Sequence, residues 1–154
     1  MKVEGEISVS APRELVFSRL SDAQFFTSCI DGVKELTALD ATHYSALFTT
    51  RIAYMRFTFK VNVEMTRIEP PDRIEAKVEG TPLGVVGRLT ATAATELAES
   101  DGQTNIRYTI EATITGKLGS MGEPVLKAKA REMEKQFSKN LLAAFASGNA
   151  EAGQ

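Results

Sequence analysis

The sequence carries one histidine and one cysteine, two side chains often used in nucleophilic and acid–base catalysis. His43 follows the turn-forming residues 40–42 and has no partner at a recognisable spacing, so a solvated turn histidine is favoured over a general base. Cys29 has no neighbouring basic residue or second histidine that would lower the pKa of its thiol. We therefore expect a packed, inert thiol and assign no catalytic residue.

The same two residues limit metal chemistry. One histidine and one cysteine cannot form a site with several imidazole or thiolate ligands, which leaves only a carboxylate site open. A single cysteine also precludes an internal disulfide, so no oxidising compartment is indicated. The 18 basic and 20 acidic side chains give a net charge of −2, which argues against binding nucleic acid through its phosphates. We expect no metal, no required cofactor and no nucleic-acid partner.

The side chains that say most about function are apolar ones that can lie in the interior. Aromatic, methionine and alanine side chains recur at positions that can point between a sheet and a helix, where they would either line a pocket or fill a core. Two of them, Tyr44 and Tyr108, have a hydroxyl that could hold the carbonyl group of a flat ligand such as a quinone. The candidate ligand-binding residues are Phe25, Tyr44, Phe48, Phe57, Phe59, Tyr108, Ala130, Met133 and Phe137.

Small residues at inward positions favour the pocket over the filled core. A small side chain leaves volume unless a large neighbour occupies it. The residues concerned are Gly80, Ala91, Ala93, Ala112, Ala130 and Ala144. A core filled by the aromatic side chains remains the alternative.

Four cations near the carboxyl end recur every four residues, and we name them the basic strip: Lys127, Arg131, Lys135 and Lys139. Three acids share the segment, so one interpretation is a solvated helix face with weak ion pairs. The other interpretation is a docking surface for an acidic partner or for anionic lipid head groups.

Alternating patterns define the elements that must position these side chains. Residues 2–10 alternate with a period of two and predict a half-buried strand, and Pro12 suits the first turn of a short helix. Asp22 is a plausible cap for a second short helix. From Val33 onward, polar and apolar residues alternate in strand after strand, separated by turn signals.

The last predicted element is a long helix from about Glu123 to Ala146. Ser120 and Glu123 fit a capping box at its start, and Gly148 supplies its stop. Its apolar stripe, which would face the sheet, comprises Leu126, Ala130, Met133, Phe137, Asn140, Leu141 and Ala144. The predicted fold class is α+β: a curved antiparallel sheet of about seven strands around the C-terminal helix, with two short helices after strand 1.

The 154 residues suit a single domain, which we place at residues 1–148, with a disordered tail over 149–154. The amino terminus lacks an apolar segment of signal-peptide length, and no run of about 18 apolar residues occurs. We therefore expect a cytoplasmic protein, with peripheral contact at the inner membrane face through the basic strip as the alternative.

Several segments, in this order, resemble the carbon monoxide dehydrogenase CoxG family of the START-like (SRPBCC, helix-grip) superfamily. They are VSAPRELVF at 9–17, LSD at 20–22, SCIDGV at 28–33, residues 80–87, the strand at 104–108 and GKLG at 116–119. SCIDGV resembles the Cys-Ile-Pro-Gly motif of the family, with Asp31 in the place of the proline. The resemblance implies a cavity for a hydrophobic small molecule and an association with molybdenum hydroxylase complexes, the membrane and quinones.

The expected function is therefore a non-enzymatic accessory protein that encloses a quinone or lipid and assists a molybdenum hydroxylase. The first alternative is an enzyme similar to polyketide cyclases and dehydratases, which would need an acid or base in the pocket. Glu134 lies about 80° away from the helix stripe and is a marginal candidate for that role. The second alternative is a partner-binding domain with a filled core.

Overall fold

A computed structural model describes residues 1–146 of the chain; the tail expected at 149–154 and the stop expected at Gly148 lie outside the described residues. The elements are β1 (Lys2–Val9), α1 (Arg13–Leu20), α2 (Ala23–Ser28), β2 (Val33–Ala38), β3 (His43–Ile52), β4 (Met55–Glu69), β5 (Arg73–Pro82), β6 (Gly87–Ser100), β7 (Gln103–Thr115), α3 (Gly116–Gly119) and α4 (Glu123–Ala146).

The seven strands form one antiparallel sheet in the order β1-β7-β6-β5-β4-β3-β2. Strands β2 to β7 follow one another as hairpins, and β1 closes the order by pairing with β7. The apolar residues of each alternating strand fall on one face, which α4 crosses. The prediction of a curved antiparallel sheet, a long C-terminal helix and two short helices after β1 is confirmed.

The starts of the two short helices match the sequence signals closely. Pro12 occupies the N-cap position of α1 in an extended conformation, one residue before the helix begins. Asp22 caps α2, because its side chain accepts a hydrogen bond from the backbone N–H of Gln24 at 3.0 Å. Within the described residues, none of the helices combines the length and apolar character that a bilayer span requires.

The start of α4 differs from the prediction. Ser120 is the C-cap of α3, and its hydroxyl donates to the carbonyl of Lys117 at 2.6 Å. The predicted capping box is therefore wrong. Ser120 caps the end of the short helix α3, and α4 begins only at Glu123. The chain instead enters α4 through Gly122, the residue before the helix, whose φ of +94° favours glycine.

A close backbone contact fixes α3 against the turn between β5 and β6. Gly87 and Gly116 form an isolated bridge, and the backbone N–H of Lys117 donates to the carbonyl of Val86 at 2.8 Å. Gly116 has a φ of +73°, and a Cβ atom there would lie 2.4 Å from both the Gly87 Cα and the Val86 carbonyl oxygen. Only glycine satisfies the conformation and the contact together.

The apolar side chains gather in two separate cores. The first core contains Ile7, Val9, Ala11, Val16, Phe17, Cys29, Leu97, Ile106, Leu141 and Phe145, with the partly buried Leu15, Leu20, Phe25, Ile74, Tyr108 and Phe137 packed against it. The second core contains Ile52, Phe57, Phe59 and Leu118, with Phe48, Met55, Val61, Val85, Ile114, Met121, Val125 and Leu126 packed against it.

The two cores hold opposite ends of α4. Near the start of α4, Leu126 packs against the second core. Toward the end of α4, Phe137 packs against the first core, and Leu141 and Phe145 belong to it. At 1.5 Å per residue, Leu126 and Phe137 are about 16 Å apart along the axis. The Asn140 amide adds a polar anchor at the far end by donating to the carbonyl of Cys29 at 2.9 Å.

Replacement of Gly116 by alanine should lower the free energy of unfolding by about 3 kcal/mol, because it adds a backbone clash to the strain of a positive φ. Gly84→Ala is the matched control: its φ is +80°, and nothing lies within 4 Å of its added Cβ. The free energy of unfolding of that variant should fall by only about 1 kcal/mol, which is the cost of the backbone strain alone. Urea denaturation measures both, and equal losses would contradict the proposed contact.

Candidate functional site

The middle of the concave sheet face belongs to neither core. The registers of β5, β6 and β7 place Ala93 between Ala76 and Ile110, and Ala91 between Val78 and Ala112. All six side chains are partly exposed, although they lie at the centre of an apolar face. Protein atoms therefore leave part of this patch accessible.

The facing part of α4 shows the same incomplete burial. Ala130 and Met133 lie on the apolar stripe between the two ends of the helix, yet both are partly exposed and neither belongs to a core. The two facing surfaces therefore both keep accessible apolar area, and the region between them belongs to neither core. We call it the central hollow, bounded by Ala91, Ala93, Ile110, Ala130 and Met133.

The nine predicted ligand-binding residues are distributed unequally around this hollow. Ala130 and Met133 border it directly, and Tyr108 lies where the hollow meets the first core. Phe25 and Phe137 pack against the first core. The remaining four lie toward the other end of the sheet or along β3: Tyr44, Phe48, Phe57 and Phe59.

Three of the phenylalanines form a packed group. The rings of Phe57 and Phe59 are stacked with centroids 6.0 Å apart, and Phe48 stacks on Phe59 at 6.2 Å. Phe57 and Phe59 are only 4% and 5% exposed. These side chains therefore form a wall at the second core, and their contact with a ligand stays a prediction.

The two candidate tyrosines have different surroundings. Tyr44 lies on β3 directly opposite Val63 and is buried, and this burial raises the pKa of its phenol. Tyr108 is partly exposed, and its hydroxyl donates a short hydrogen bond to a carboxylate oxygen of Glu134 on α4. Burial, and then this hydrogen bond, raises the pKa of Tyr108.

Gly5 makes the position of Tyr108 possible. The two residues are direct partners in the β1–β7 register, and a Cβ atom on Gly5 would lie 2.2 Å from the Tyr108 hydroxyl oxygen. The ring therefore lies across the backbone of β1 with its hydroxyl directed to Glu134. This arrangement links the edge of the sheet to the middle of α4.

The position of Glu134 was not recognised from the sequence as important. Its offset from the apolar stripe indicated a marginal role, but the side chain reaches Tyr108 across the edge strand. The signal in the sequence is indirect: a glycine on β1 opposite a tyrosine on β7 becomes informative only once the register of those strands is known. Helical periodicity by itself does not contain that information.

The cysteine and histidine match their expected positions. Cys29 is 2% exposed, and burial raises the pKa of its thiol, which disfavours the reactive thiolate form. His43 is the first residue of β3, directly after the turn at 40–42, and is partly exposed; its Nδ1 lies 2.9 Å from an oxygen of Asp40, and this contact raises the pKa of the histidine. The structure therefore places Cys29 in the packed core and His43 beside the turn, and the absence of a catalytic role for either stays a prediction.

The basic strip is only partly neutralised. Lys127 lies 3.5 Å from the carboxylate of Glu123, whereas Arg131, Lys135 and Lys139 are exposed and form no ion pair within residues 1–146. Both interpretations of the strip therefore stay open.

Comparison with known proteins connects this architecture to a family. The model of the carbon monoxide dehydrogenase CoxG family matches residues 5–146. No curated protein matches the chain. The solved structure of a conserved protein from Geobacillus kaustophilus is similar at 26% identity and a TM-score of 0.87, over 96% of this chain and 97% of that one.

Two further solved structures share the fold. A START superfamily protein from Mycobacterium smegmatis has 12% identity and a TM-score of 0.72, over 95% of this chain and 97% of that one. The Zhui aromatase/cyclase from Streptomyces sp. R1128 has 18% identity and a TM-score of 0.63, over 98% of this chain and 93% of that one. At these identities, the likeness establishes the START/SRPBCC fold alone.

Replacement of Gly5 by alanine should displace the Tyr108 ring and break its hydrogen bond to Glu134, at a cost of about 1–3 kcal/mol in the free energy of unfolding. In a Tyr108→Ala background the same change should cost little, because the clashing ring is absent. Chemical denaturation of the four proteins in this cycle gives the coupling energy. An equal loss in both backgrounds would contradict the contact.

Proposed function

We propose a function from one premise: this chain belongs to the carbon monoxide dehydrogenase CoxG family. Its START/SRPBCC fold supports a ligand-binding helix-grip protein. Our proposal is that it is an accessory protein that holds a hydrophobic small molecule, a quinone or a lipid, between the sheet and α4.

The accessible apolar residues around the central hollow are the observation that carries this proposal. The walls of the hollow are apolar and remain accessible between two well-packed cores, so a ligand there would complete the interior. A flat ring system comparable in size to a tryptophan side chain buries about 200 Å². At about 25 cal/mol per Å², that burial favours binding by about 5 kcal/mol before the entropic cost of association.

We propose a molybdenum hydroxylase of the carbon monoxide dehydrogenase type as the protein partner. The support is membership of a family described as a subunit of carbon monoxide dehydrogenase. In that arrangement, the accessory protein would supply or remove the hydrophobic molecule that exchanges electrons with the enzyme complex.

We further propose that the basic strip makes peripheral contact with the inner face of the membrane. Arg131, Lys135 and Lys139 present positive charge without an ionic partner in the described part of the chain. Such side chains contribute about 1 kcal/mol each to attraction by an anionic bilayer. This contact would bring the hollow close to the source of a lipid-soluble ligand.

The enzyme alternative needs an acid or base in the pocket, and the structure places Tyr108 beside Glu134. The chemistry of this pair nevertheless favours binding over catalysis. Burial and the hydrogen bond to Glu134 raise the pKa of the Tyr108 phenol further above neutrality, which disfavours loss of its proton. A fixed neutral phenol is well suited to orient a ligand. We therefore propose that the pair serves recognition.

A hollow-filling substitution tests the proposed function. Ala130→Leu should lower the affinity for 2-naphthol, a two-ring apolar probe, at least about tenfold, while the free energy of unfolding changes by less than about 1.5 kcal/mol. Ala128→Leu places the same side chain on the exposed face of the same helix and should leave affinity unchanged. Fluorescence titration measures binding. Absence of 2-naphthol binding to the unaltered protein would contradict the proposal.

Vesicle flotation tests the proposed membrane contact. The unaltered protein should float with phosphatidylserine-containing vesicles at low salt and be released at high salt, because the attraction is electrostatic. Glutamine at positions 131, 135 and 139 should abolish flotation. Glutamine in place of Lys34, Lys60 and Lys77 makes the same charge change at other exposed sites and should preserve it. No flotation at low salt would rule the contact out.

A further inference from the structure

The hydroxyl of Tyr108 has a fixed direction. It lies over Gly5, which leaves room for the ring, and it donates its hydrogen bond to the Glu134 carboxylate. A phenol has one proton to donate, and here that proton is already used. What remains on the phenol oxygen is its capacity to accept a hydrogen bond.

Glu134 contributes only hydrogen-bond acceptors to this place. An ionised carboxylate has no proton to donate, and Tyr108 uses one of its two oxygens. We call Tyr108 and Glu134 together the acceptor pair. A polar group that approaches this pair is therefore bound only if it brings its own proton.

The acceptor pair lies at the border of the central hollow. Tyr108 is on the concave face of β7, between Ile106 of the first core and Ile110 of the hollow. Glu134 follows Met133 on α4, and both members of the pair are partly exposed. Because the Tyr108 hydroxyl lies over Gly5 on the edge strand, a ligand that fills the hollow and extends toward β1 would come within reach of their free lone pairs.

We propose that the acceptor pair selects a hydrophobic ligand that carries a hydroxyl or N–H group and discriminates against one that offers only a carbonyl group. This inference rests on the proposed function, because it specifies the ligand of the same hollow. A carbonyl oxygen beside the pair would face other acceptors and lose its hydration without replacement, whereas a hydroxyl would gain a charge-assisted hydrogen bond.

The selectivity has a consequence for quinone-type ligands. The oxidised form presents two carbonyl oxygens, and the reduced hydroquinone presents two hydroxyl groups. The acceptor pair should therefore hold the hydroquinone more tightly than the quinone. This reverses the simpler expectation that a free tyrosine hydroxyl holds a quinone carbonyl.

Two probes with the same ring system test the selectivity. 2-Naphthol carries a hydroxyl donor, and 2-acetylnaphthalene carries a carbonyl acceptor. Isothermal titration calorimetry of the unaltered protein should give at least about tenfold tighter binding of 2-naphthol, the effect of one hydrogen bond to a charged group.

Substitution of Glu134 supplies the decisive comparison. Glu134→Ala releases the Tyr108 proton, so affinity for 2-acetylnaphthalene should rise and the preference for 2-naphthol should shrink several-fold. Glu134→Gln keeps the side-chain shape and adds an amide donor, and it should shift the preference in the same direction. Glu123→Ala removes the same charge from an exposed position of α4 and should leave the ratio unchanged.

The outcomes separate this inference from the function on which it rests. Equal affinities for the two probes, unaffected by either Glu134 variant, would overturn the selectivity and leave the ligand-binding function standing. Failure of both probes to bind the unaltered protein would overturn the proposed function and the selectivity with it. A 2-naphthol preference that only the Glu134 variants weaken would support both.

Discussion

The structure depends on the way α4 is held: firmly at its two ends and loosely in its middle. Leu141 is fully buried in the first core, and Leu118, fully buried in the second, secures the turn from which α4 begins. Full burial of a leucine side chain contributes about 1.5–3 kcal/mol. Between these fixed ends, Ala130 and Met133 face the sheet, stay partly exposed and belong to neither core.

Small side chains on both facing surfaces account for the incomplete burial around the hollow. Alanines at positions 91, 93, 112 and 130 add little volume between the curved sheet and a helix whose two ends are held by larger side chains. A molecule bound there would act as the missing part of the core and would stabilise the folded state by mass action. The Tyr108–Glu134 link supplies the polar contact that this apolar surface otherwise lacks.

The sequence predicted features encoded locally and missed those that depend on distant pairing. Period-two alternation identified the strands, Asp22 identified a helix cap, and the apolar stripe identified the inner face of α4. Ser120 was assigned to the wrong helix, because α3 depends on the contact between Gly87 and Gly116. The division of the aromatic residues between two cores, and the pairing of Tyr108 with Glu134, required the order and register of β1 and β7, which no local pattern contains.

The central claim, that the interior between the two cores is unfilled by protein and available to a ligand, is tested most directly by a crystal structure of the protein purified from its own host without removal of bound molecules. The account predicts continuous density that belongs to no residue of the chain, between Ala93 of β6 and Met133 of α4, within hydrogen-bonding reach of Tyr108. Direct packing of Met133 and Ala130 onto the alanines of the sheet, with no space between them, would contradict it.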